Sequence, residues 1–178
     1  MPHNTTNQKS TRTNYKGLMQ RRVRRVLMIC SSYDAYTLEE DGRIEVQIYK
    51  EYVDLNLSNP PSFTWVTSSS AAAKILAGEH DFDLIISMFN VGELDVFRFS
   101  KQLKEGGTNI PFVLLTHFSK ELYRIIDSQD KSGIDYIFSW QGNADLILAI
   151  IKLFEDRINA DDDILGAGVQ SILLVEDS

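Results

Sequence analysis

The residues of this chain able to act as nucleophiles, bases or metal ligands are few and dispersed. His3, His80 and His117 lie far apart and Cys30 stands alone, so no Cys/His spacing of a metal site is present. Ser31, Ser32, Thr116 and His117 are expected to converge at one edge of a sheet, an arrangement that invites nucleophilic catalysis. No strand-turn-helix G-x-S-x-G accompanies them, and neither "LAGEHDF" nor "EGGTNI" has the glycine spacing of a P-loop or a dinucleotide fingerprint. Cys30 reads as a buried strand residue, because no second cysteine can resolve an oxidised thiol. This segment is therefore expected to be no enzyme and to carry no cofactor.

The elements that must position these residues follow a rhythm of short apolar runs and longer helical periods. "RRVLMIC" (24–30), "FTWVT" (63–67), "DLIISM" (83–88), "PFVLLT" (111–116) and "DYIFSW" (135–140) read as strands too apolar to be half exposed. Between them, Ile44, Ile48, Tyr52 and Leu55 recur at helical spacing. The same spacing links Ala72, Ile75 and Leu76, then Val96, Phe99 and Leu103, then Leu122, Ile125 and Ile126. Pro60-Pro61, Gly106-Gly107 and Gly133 punctuate the boundaries. Strands alternating with helices imply an α/β fold: a five-stranded parallel sheet, doubly wound in three αβα layers of the flavodoxin-like kind. Any site in such a sheet lies at the carboxyl ends of the strands.

Composition narrows the setting. The 178 residues are 43% hydrophobic with a net charge of −7, enough for one ordinary core and poorly suited to neutralising phosphates, so no nucleic-acid partner is expected. Basic residues crowd the N-terminal arm (Lys16, Arg21, Arg22, Arg24, Arg25) and acidic ones the end (Glu155, Asp156, Asp161, Asp162, Asp163), most simply as solvated faces. A single cysteine, no signal peptide and no apolar run near the roughly 20 residues of a membrane span read as a cytoplasmic protein without a membrane partner.

One internal repeat is visible. "VLMICSS" (26–32) set over "ILLVEDS" (172–178) matches four apolar positions and places Cys30 over Glu176 and Ser31 over Asp177. With "DFDLIISMFNVGELDVF" (81–97), "NIPFVLLTHFS" (109–119) and "SGIDYIFSW" (132–140) in order, the chain resembles the receiver domains of two-component response regulators across residues 24–158. The resemblance implies an N-terminal basic arm at 1–22, a receiver-like domain at 23–158, an acidic and glycine-containing linker at 159–170, and at 171–178 the first strand of a second receiver.

In that family an acidic pair after the first strand holds Mg²⁺, an Asp ending the third strand accepts a phosphoryl group, and a Thr and a Lys at the next two strand ends contact it. Carried onto this sequence, the acidic pair becomes Cys30 and Ser31, the acceptor Met88 and the Lys Trp140; Thr116 alone is retained, and the aromatic switch position is Ile137. A thioether cannot replace the carboxylate nucleophile, and the hard-oxygen ligands of Mg²⁺ are gone. The resemblance thus implies a pseudo-receiver with a filled, dry pocket where Met88 and Trp140 converge, unless Asp34, Glu93 or Asp95 reaches into it; Glu176 and Asp177 would begin the Mg²⁺ site of the following domain. The alternative is a small-molecule sensor that uses the degenerate pocket near Met88, Thr116 and Trp140.

Two departures point to contact surfaces. "SYDAYTLEEDGRI" (32–44) supplies about ten residues beyond the family's usual need, as a loop or extra turn in which Tyr33, Tyr36 and Leu38 cap the site, or as a longer first helix. The last helix carries one apolar stripe (Ile147, Ile150, Ile151, Phe154, Ile158) and a second beside it (Leu146, Ala149, Leu153), to be covered by the arm, by a homodimer partner or by the next domain. More widely, residues 19–44, 134–159 and 168–178 resemble the N-terminal region of large bacterial phosphoenolpyruvate synthase or pyruvate phosphate dikinase-like proteins. That likeness implies a regulatory front end whose partners are the neighbouring receiver and downstream domains of the same chain.

Overall fold

Five short strands form one parallel sheet in the computed structural model of the protein, which describes residues 19–40, 44–54, 57, 59–78, 81–91, 95–117, 119–142 and 144–167. The elements run β1 (Arg25–Ile29), α1 (Ser32–Glu40), α2 (Ile44–Asp54), β2 (Ser62–Val66), α3 (Ser69–Leu76), β3 (Leu84–Met88), α4 (Val96–Glu105), β4 (Phe112–Thr116), α5 (Lys120–Asp127), β5 (Tyr136–Ser139) and α6 (Ala144–Ala167). The strand order is β2-β1-β3-β4-β5. The expected doubly wound α/β fold is therefore present, with helices flanking the sheet.

Burial follows position in the sheet. Val26 to Ile29, Leu84 to Ile86 and Val113 to Leu115 have no exposed surface, whereas β2 and β5 at the two edges are mostly half-buried. This is the pattern of parallel strands covered on both faces, and it explains why the central runs lack polar alternation. Strand starts are pinned by side chains. Asp83 accepts hydrogen bonds from the backbone N–H groups of Arg24 and Arg25 at 2.7 and 3.0 Å, which puts it at the amino edge, away from any site. Asp135 does the same for Phe112 N–H at 2.8 Å while pairing with Lys104 at 3.0 Å.

The 32–44 stretch is mostly helix, not loop. Its first nine residues are α1, and α2 begins at Ile44 with Ile48 and Tyr52 buried on the same face. In α5 the expected stripe is only partly used: Ile126 is buried and Leu122 half-buried, but Ile125 is exposed.

Two compact units divide the chain. One is Val23–Lys152; the other combines Met1–Arg22 with Leu153–Ser178. In the second unit α6 stays helical through the acidic run as far as Ala167, so most of the expected 159–170 linker is helix. The described arm residues line its side. Asn159, buried, accepts from Arg21 N–H at 2.8 Å and donates to Arg21 C=O at 2.7 Å; Asp163 accepts from Met19 N–H at 3.0 Å; Arg22 pairs with buried Glu155 at 3.1 Å. The fragment 171–178, with Glu176 and Asp177, lies outside the described residues.

Gly133 marks the tightest approach in the Val23–Lys152 unit. A Cβ there would stand 2.3 Å from Ser100 C and Lys101 N, the backbone of α4 itself, so no rotamer change relieves it. Gly133→Ala is expected to destabilise the fold at or beyond the upper end of the roughly 1–3 kcal/mol typical of overpacking, read as a lowered urea midpoint. Gly107→Ala, where a Cβ meets nothing but φ is +87°, should cost less, about 1 kcal/mol.

Candidate functional site

Parallel strands deliver their last residues to one edge. Met88 ends β3 and Thr116 ends β4, while Cys30 and Trp140 directly follow β1 and β5. Backbone bonds continue the sheet past the strand ends: Cys30 N–H to Val66 C=O at 3.1 Å, Phe89 N–H to Leu115 C=O at 2.8 Å and Trp140 N–H to Thr116 C=O at 2.7 Å. All the positions singled out in the sequence, Cys30, Ser31, Met88, Thr116 and Trp140, thus stand at the carboxyl edge.

The cavities of the described residues divide them. A cavity of about 360 Å³ has Met88 and Leu115 in its apolar wall and Ser31, Asp34, Asn90 and His117 among its polar residues. Thr116 borders a different cavity with Ile137 and Phe138, and Trp140, 5% exposed, lines neither. Sheet alternation separates Thr116 from Met88. Met88 is in register with Leu115, so these two side chains share a face, and Thr116, one residue on, points to the other. The Thr116 hydroxyl donates to the His117 carbonyl at 3.2 Å. Thr116 thus faces away from Met88, whereas Ser31 and His117 share the Met88 cavity, and Met88 and Trp140 are both buried.

The nearby carboxylates have structural partners. Ser31 precedes α1 and its Oγ accepts from Asp34 N–H at 3.0 Å, while Oγ–H donates to Asp34 Oδ2 at 2.6 Å and Ser31 N–H reaches the same oxygen at 3.4 Å. This reciprocal S-x-x-D arrangement is a capping box. Its signature was present in "SSYD" and went unread in the sequence analysis. Asp95 caps α4, accepting from Phe97 and Arg98 N–H at 3.1 Å each. Glu93 and Leu38 carry no described side chain.

Electrostatics follow from this arrangement. Burial, and secondarily the negative charge of Asp34, push the Cys30 thiol from its ordinary value of 9.0 up to about 12, so it is a neutral thiol at physiological pH. The donor set at the mapped metal position is then a protonated thiol, a hydroxyl already bonded to Asp34, and a carboxylate spent on a helix cap. These residues do not fit Mg²⁺, which needs near-octahedral oxygen ligation. Among the described residues no three His, Cys, Asp or Glu side chains are grouped to hold a metal. Along α6, Leu146 is half-buried, Ala149 exposed and Leu153 36% exposed.

No known family profile and no curated protein matches the chain. Solved structures do match in fold. The receiver domain of a Francisella response regulator is 16% identical, with 76% of this chain and 98% of that one covered at a TM-score of 0.52. The receiver domain of a sensor histidine kinase from Pseudomonas aeruginosa is 13% identical, with coverage of 74% and 97% and a TM-score of 0.55. An adenylate cyclase structure from Rhodopirellula baltica is 12% identical, with coverage of 79% and 96% and a TM-score of 0.56. At such identities the likeness is one of architecture, and it assigns this chain the receiver fold.

Proposed function

We propose that Val23–Lys152 is a pseudo-receiver, a signalling module that takes up no phosphoryl group and acts by protein contact. The observation that carries this reading is Met88 itself: 4% exposed, it occupies the end of β3, where the family places its carboxylate nucleophile. Catalysis, if the parent protein has any, resides in other domains. The partner in this reading is the neighbouring domain that begins at Ser171, whose Glu176 and Asp177 retain the metal pair missing here, with downstream domains of a phosphoenolpyruvate synthase-like chain beyond it. The exposed α6 residues Ala149 and Leu153, beside Leu146, are the proposed contact, either to that neighbour or to a second copy, in a cytoplasmic setting. A sensor pocket spanning Met88, Thr116 and Trp140 is the weaker reading, since among the cavities of the described residues Met88 and Thr116 border different ones.

Two measurements test the dead-site reading. Trp65→Phe leaves Trp140 as the sole tryptophan. Titration with Mg²⁺ and beryllofluoride should leave its fluorescence flat, and acetyl phosphate should add no phosphoryl group by intact mass; a saturable, Mg²⁺-dependent change would overturn the proposal. The second concerns Cys30. Its folded value near 12 stands above the unfolded 9.0, so the folded chain keeps a proton that the unfolded chain releases. This stabilisation is complete below about pH 9 and is lost as pH rises toward 12. Urea unfolding from pH 8 upward should therefore show a shallower alkaline loss in Cys30→Val than in the parent. Equal slopes would mean that the thiol ionises as freely in the fold as outside it.

A further inference from the structure

Helix α5 is thinly seated on the sheet. Ile126 is its one fully buried side chain, whereas Tyr123 and Ile125 are 71% and 49% exposed. Beside it lies a cavity of about 300 Å³, walled by Ile126, Ile137 and Phe138 and meeting the one at Met88 only at His117. Phe138 is stacked on Tyr136, ring centres 5.9 Å apart and 19° from parallel, which fixes that aromatic wall in place. Thr116, His117, Ser119, Tyr123, Ser139 and the Asp127–Lys131 pair supply polar groups to the lining. The volume is at the small end of the roughly 300–1,000 Å³ of ligand sites, and an apolar body with a few polar groups is their usual makeup.

We propose that this cavity binds a small, uncharged aromatic molecule bearing one hydrogen-bond donor, of the phenol or indole class. Charge selects against ions. Lys131 Nζ lies 3.2 Å from Asp127 Oδ1 and also donates to the Asp127 carbonyl, so the two formal charges of the lining compensate each other and leave none for an ionic ligand. A charged guest would lose hydration without gaining an equal partner. The Thr116 position favours a donor on the guest. The Thr116 proton is engaged by the His117 carbonyl, so its oxygen offers lone pairs only. The floor takes a flat ring against Phe138. This site does not depend on whether the Met88 position accepts phosphate.

The test uses the full chain, labelled with ¹⁵N and titrated with indole, 1-methylindole, benzoate and benzylammonium. Expected are saturable amide shifts from indole at Thr116, Lys131 and Ile137–Ser139, with the two ions binding about tenfold more weakly or worse. 1-Methylindole, lacking the donor, should lose about fivefold, and Thr116→Val should bring the two indoles level. Ser139→Trp, at an exposed position on the lining, should abolish the shifts, while Asn90→Trp in the other cavity should not. Absence of saturation, shifts centred on Met88 and Leu115, equal binding of the ions, or persistence in Ser139→Trp would each overturn the proposal. If Ser139→Trp does not fold, the Thr116→Val comparison decides.

Discussion

The covered faces of β1, β3 and β4 are the constraint on which the rest depends. Three adjacent parallel strands with no exposed apolar surface require helices on both sides, and those helices must come close. Gly133 is the consequence at one end, where the turn into β5 rests directly on the backbone of α4. The carboxyl edge is the consequence at the other, because parallel strands have no choice but to finish together. The residues at those strand ends are therefore brought to one edge.

At that edge the carboxylates are engaged in architecture. Asp34 closes the capping box of α1 and Asp95 caps α4, each satisfying amide protons that a helix start leaves unpaired. Between them the strand ends contribute sulfur: a thiol held neutral by burial and a thioether. Sulfur groups in apolar surroundings fill space without attracting water or hard cations. The edge keeps the shape of a binding crevice while its charge is consumed locally.

How much of this was legible in the sequence depends on which physical signal each residue carries. Runs such as "DLIISM" announce buried strands because both faces are apolar, and their order announces the sheet. The fate of Thr116 was not legible. Whether it shares a face with Met88 depends on β3–β4 register, and a shift of one residue exchanges the faces. The insert read poorly for another reason: α1 exposes Tyr33 and Tyr36, so no apolar stripe betrays it, and only the S-x-x-D pattern does. The tail of α6 misled because an acidic run with Gly166 resembles a linker, although a single glycine costs a helix only about 1 kcal/mol.

The way the arm is held along α6 carries an evolutionary consequence. At Met19 and Arg21 main-chain groups are grasped, by Asp163 and by both ends of the Asn159 amide, and the Arg21 side chain adds a pair with Asp162 and a bond to the Ile158 carbonyl. Recognition of backbone is indifferent to side-chain identity but not to spacing. Point substitutions at Met19 should drift more freely among descendants of this chain than those at Arg21, whose side chain also pairs with Asp162. Insertions or deletions between residues 19 and 22 should be purged, because a slip of one residue would present Asn159 with peptide groups facing the wrong way.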